Sequence, residues 1–194
     1  MAGRLSRAVA AYETYSFDND GMLKALLSVQ PIAVLNALFM EDAEGQRAGL
    51  NVFDNMSDYR PNPADEISSE DLIVWCNQDP EKHYPLAASF ITFAHRTEES
   101  GPRVWSEQAK ALFTHAPHPG SVFLAFVERF RPMSWSGSRA ASMEANARLL
   151  DSLDEISLSL IPIVAEAKAQ LAQDVARERE RETAEDRARD ERFE

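Results

Sequence analysis

With a single cysteine, Cys76, the chain has no means of forming an internal disulfide framework. Cys76 stands beside Trp75 in an apolar stretch, which predicts a buried, inert thiol. Seven glycines in 194 residues leave little material for a phosphate-cradling loop, and no Gly-x-x-x-x-Gly-Lys occurs. The Gly-x-Ser-x-Gly elbow that presents a serine nucleophile is missing. So are Cys-x-x-Cys and His-Glu-x-x-His, the compact spacings of zinc ligands. No apolar run approaches the roughly 20 residues that a membrane span needs. The start, Met1-Ala2-Gly3-Arg4-Leu5, lacks the apolar core of a signal peptide. Positive charge is also short: 20 Lys and Arg against 32 Asp and Glu give a net charge of −12. Such a surface repels phosphate backbones and anionic lipids, which argues against direct nucleic-acid binding and against membrane attachment. A soluble cytoplasmic protein is the expectation.

What the chain does have is a recurring pattern of apolar helical stretch, proline-marked turn and second apolar helical stretch. The first copy runs from Met22 to Val29, turns at Gln30-Pro31 and continues from Ile32 to Phe39. The second runs from Leu72 to Cys76, breaks at Pro80 and Pro85, and resumes from Leu86 to Phe93. The third runs from Trp105 to Phe113, breaks at Pro117 and Pro119, and resumes from Val122 to Phe130. Helix pairs at a period of roughly 35–50 residues predict an all-α fold of stacked pairs, a HEAT-like α-solenoid. Ser68 with Asp71, and Ser136 or Ser138 before Ala140, read as helix N-caps. The segment from Ile156 to Val164 is the one place where a strand is conceivable, and Pro162 argues instead for a turn and a new helix.

That last helix carries Val164, Ala167, Leu171 and Val175 on one face. The apolar stripe then stops, and the charged run from Arg177 to Glu194 follows, with Glu178–Arg181 and Glu185–Arg189 at pairing distance along a helix. The predicted organisation is a helical-repeat domain over 1–175 and a charged helical extension over 176–194.

Few residues suggest chemistry. His115 and His118 lie three apart in a proline-rich turn and could begin a zinc site, but closure needs further ligands such as His83, His95 or Cys76. Asp18-Asn19-Asp20-Gly21 fails as a calcium loop, because its glycine comes too early and Val29 occupies the place of the bidentate glutamate. No cofactor is implied. The inter-helix turns carry aromatic and arginine side chains of the kind that anchor interfaces. The predicted partner-binding residues are therefore Tyr59 and Arg60 in the proline-rich loop, His115 and His118, and Arg131 with Trp135.

Trp135-Ser136-Gly137-Ser138, then Leu149 to Leu153, then the helix from Ile161 into the Arg/Glu-rich tail, together resemble the C-terminal HEAT-like helical region of large bacterial proteins. Many of those are multidomain ATPases or effectors of antiviral defence. The resemblance covers about the last 60 residues and implies a region that senses or docks a partner while the chemistry resides in another domain. This chain contains no ATPase or nuclease motif, so the resemblance implies a piece of such a protein, or a subunit that acts with a separately encoded effector or ATPase. Two alternatives remain from the residues: a small helical metal-dependent hydrolase built on His115, His118 and acidic neighbours, and an accessory subunit of a nucleic-acid-processing complex that uses Arg129, Arg131 and Arg139.

Overall fold

Proline punctuates the architecture. In the computed structural model, which describes residues 17–39, 43–54, 62–98, 101–131, 137–155 and 160–191, three helices begin directly on a proline. Helix α1 (Phe17–Val29) ends at Gln30, and α2 (Pro31–Leu38) leaves at 120° to it. Proline suits the first helical position because its missing N–H has no intrahelical acceptor there. Helix α3 (Ala43–Asp54) packs on the end of α2 through Gly49, where an added Cβ would lie 2.7 Å from the Leu38 carbonyl oxygen and 2.8 Å from the Phe39 ring. A 3-10 turn (Pro63–Glu66) leads into α4 (Ser69–Cys76) and α5 (Pro80–Phe90). Ser68 caps α4 as expected: its hydroxyl accepts the Asp71 amide at 3.0 Å and donates to the Asp71 carboxylate at 2.7 Å.

Two expectations are corrected in this region. Pro85 does not break the chain but lies inside α5. The third pair does not begin at Trp105, which closes an antiparallel hairpin of β1 (Ala94–Arg96) and β2 (Arg103–Trp105), registered Ala94 to Trp105, His95 to Val104 and Arg96 to Arg103. Ser106 then caps α6 (Glu107–His115) by accepting the Ala109 amide, and α7 (Pro119–Glu128) follows the Pro-rich turn. The chain ends in α8 (Arg139–Ala147), a 3-10 segment (Arg148–Glu155) and α9 (Ile161–Asp190), a helix of 30 residues. At 1.5 Å per residue α9 is about 45 Å long.

The core is aromatic. Phe39, Phe53, Trp75 and Phe90 pack together at one end, with centroids 4.6 to 6.1 Å apart. Phe93, Trp105, Phe113, Phe126 and Phe130 pack at the other. Polar groups inside pin elements to one another, as burial requires. Trp75 Nε1 donates to Asn36, Trp105 Nε1 donates to the Leu149 carbonyl, and Gln108 donates to the carbonyls of Ala64 and Ile67. Arg129 donates to the carbonyls of Ala88 and Ile91 past the end of α5, with its guanidinium 5.1 Å from the Phe93 ring centroid. Arg103 lies 5.4 Å from the same ring. Among the described residues no single helix is long and apolar enough to cross a membrane.

Candidate functional site

The predicted stripe of α9 is buried as expected at Val164, Ala167, Leu171 and Val175. It does not stop there. The same three-and-four spacing continues to Glu178 and Glu182. Glu178 is itself buried. These carboxylates meet the N-terminus of α8, where backbone N–H groups have no intrahelical acceptor. Glu182 accepts the Ser138 hydroxyl at 2.8 Å, the Arg139 amide at 2.7 Å and the Ala140 amide at 3.2 Å. Ser138 in turn accepts the Ala141 amide at 3.0 Å, which bears out one of the two predicted caps. The hydrogen bonds from Ser138 and Ala140 hold the Glu182 carboxyl below the usual carboxylate range. Helix α9 runs without a break through Val175 and Ala176, and its charged half is engaged with α8 at least as far as Glu182.

Further contacts set direction and register. Arg179 pairs with Glu144 at 2.6 Å, and Lys168 with Asp151 at 3.0 Å, so α8 and the 3-10 segment run antiparallel to α9. Arg131, just beyond α7, donates through Nε to Asp174 at 2.9 Å, and Ile163 lies against Gly120, so α7 runs parallel to α9.

Between α8 and α9 lies a groove of about 450 Å³. Its floor is small and apolar: Ala147, Ala172, Val175 and Ala176. Its rim is charged: Glu144, Arg148, Asp151, Lys168 and Arg179. Three cations against two carboxylates give this rim a positive excess in a chain whose net charge is −12. A second cleft of about 330 Å³, lined by Gly137, Ser138, Arg181, Glu182, Glu185, Asp186 and Arg189, is mostly polar.

Of the predicted partner residues, His115, His118 and Arg131 are among those described. His115 and His118 stay together in the α6–α7 turn, both exposed. His118 Nε2 is 3.2 Å from the Glu81 carboxylate, and His115 Nδ1 is 2.9 Å from the Ala111 carbonyl. Arg131 lies past the other end of α7, about 15 Å away at 1.5 Å per residue. The α6–α7 turn and Arg131 therefore lie at opposite ends of α7. Tyr59, Arg60 and Trp135 lie outside the described residues. Among the described residues no three His, Cys, Asp or Glu side chains stand together where they could hold a metal ion. His83 is stacked on Trp75 and Cys76 is buried. The three arginines considered for nucleic acid each bond within the protein: Arg129 to backbone carbonyls, Arg131 to Asp174 and Arg139 to Glu178.

Glu144, Arg148, Lys168, Ala172 and Arg179 carry no motif that marks them in sequence. The signal that could have found the seam is the carboxylate continuation of the α9 stripe at Glu178 and Glu182. No protein-family description, curated protein or solved structure matches this chain.

Proposed function

We propose that this chain is a non-catalytic protein-interaction or sensor module of stacked, HEAT-like helix pairs, acting within a bacterial complex that includes an effector or ATPase. The resemblance of the last third to the helical region of antiviral-defence proteins supplies the biological setting. The groove between α8 and α9 is the observation that carries the reading. Small residues let another backbone approach closely, and a charged rim around an apolar floor is the usual anatomy of an interface. A helix laid in such a groove presents aliphatic residues at i, i+3, i+4 and i+7. The excess of cations on the rim favours a partner segment with carboxylates beside its aliphatic ridge. The consecutive pairs α1–α2, α4–α5 and α6–α7 support the repeat reading, with the β-hairpin as an insertion between the second and third.

The test is capture of a partner from host cells with wild-type bait and with two groove variants. Ala172→Gln fills the floor at an exposed position with a good helix former, and Arg148→Glu reverses a rim charge. Loss of the captured protein with both, at unchanged melting temperature, supports the groove. Capture that both variants retain removes it.

A further inference from the structure

We infer that Glu178 and Glu182 form an electrostatic latch on α9 that holds α8 in place, and that α8 releases from α9 as a unit while the aromatic core stays folded. This concerns regulation of the groove proposed above, since α8 is one of its walls, and it rests on that reading for its consequence alone.

Helix α8 has nine residues, too few to persist in isolation. Its buried apolar side chains, Ala140 and Met143, stand outside the continuous core cluster, and so does Val175 on α9. Its third buried residue, Asn146, holds the Phe130 carbonyl at 3.1 Å and accepts from Arg103. Ala147, partly buried, packs on that core; with so little apolar burial, polar contacts to α9, Phe130 and Arg103 carry much of the attachment, and elements of that kind open first. Glu182 faces Ser138 and the Arg139 and Ala140 amides on α8, with Arg181 and Glu185 beside it on α9 and Asp186 and Arg189 in the same cleft. Glu178 pairs with Arg139 of α8 and Arg181 of α9. Asp174 meets Arg131 from beyond α7, and Arg177 and Gln170 on its own helix. Glu144 and Arg179 add a pair of the opposite polarity.

The hydrogen bond from Ser138 and the amides of α8 lower the Glu182 carboxyl. A carboxyl lowered on folding holds the latch closed above its ordinary range, and releases it as pH falls through the lowered value. Charge removal weakens each bond, since charge-assisted hydrogen bonds are about twice as strong as neutral ones.

Hydrogen exchange measured by mass spectrometry on the whole chain tests this, with α5 and α7 as the internal reference. At neutral pH, Glu182→Gln should raise exchange in α8 about tenfold and leave α5 and α7 unchanged. In the wild-type chain, acidification below the ordinary carboxylate range should raise α8 exchange by a similar factor after correction for the intrinsic rate, ahead of the core. The wild-type titration decides the matter even if the variant folds poorly. Exchange in α8 that tracks α5 and α7 at every pH overturns the latch, as does a folded Glu182→Gln protein with wild-type α8 protection. The groove fails separately, through retained capture by Ala172→Gln and Arg148→Glu.

Discussion

Trp75 and His83 stack ring on ring, with centroids 4.1 Å apart and planes 5° from parallel. The stack bridges α4 and α5, and His83 Nδ1 lies 3.0 Å from the Trp75 carbonyl oxygen. His83 is buried, so the imidazole is a structural part and not a free ligand. His83→Ala should lower stability by about 1–3 kcal/mol, from lost ring contact and a lost hydrogen bond. Urea melts followed by tryptophan fluorescence measure this. A loss under about 0.5 kcal/mol would show that the stack contributes little.

Cys76 is the neighbouring case. Burial pushes its thiol up to about 12, so almost no thiolate exists at neutral pH. A thiol reagent such as DTNB should leave the native chain unlabelled and label one thiol per chain in denaturant. Rapid labelling of the folded protein would contradict the burial.

Arg129 closes the end of α5 and lies against Phe93. Arg129→Met keeps the length and removes the donors to Ala88 and Ile91. The expected cost is about 2–3 kcal/mol, because two carbonyls lose a charged donor and the ring loses a cation. Arg131→Met, at the more exposed end of its pair with Asp174, should cost under about 1 kcal/mol. Equal losses for the two would remove the distinction.

Two glycines should respond with opposite sign. A Cβ at Gly49 meets the Leu38 carbonyl and the Phe39 ring, so Gly49→Ala should cost roughly 1–3 kcal/mol. Nothing lies within 4 Å of a Cβ at Gly21 inside α1, so Gly21→Ala should stabilise by about 0.5–1 kcal/mol. Thermal melts of both variants check the pair.

Much of this architecture was legible in local sequence. Pro31, Pro80 and Pro119 each mark a helix start because a missing N–H is harmless there. Ser68 and Ser138 cap the helices they precede. What stayed hidden depends on distant partners. The strands are three residues each, too short for alternation to show, and Trp105 sits so close to the helical pattern that begins at Glu107 that the sequence does not separate the two. Glu182 meets an amide 43 positions away. No local rule separates it from the surrounding glutamates of a charged run, and only its place on the continued stripe does so. The groove is likewise made by two helices whose small residues look like ordinary solvent-facing alanines in sequence.

The most direct test of the interaction reading is site-specific photo-crosslinking in host cells. A photoreactive residue at Ala172, on the groove floor, is compared with one at Val74, an exposed position on α4. The account predicts a discrete crosslinked partner from Ala172 and none from Val74. Crosslinks from Val74 with none from Ala172 would place the interaction surface elsewhere and contradict it.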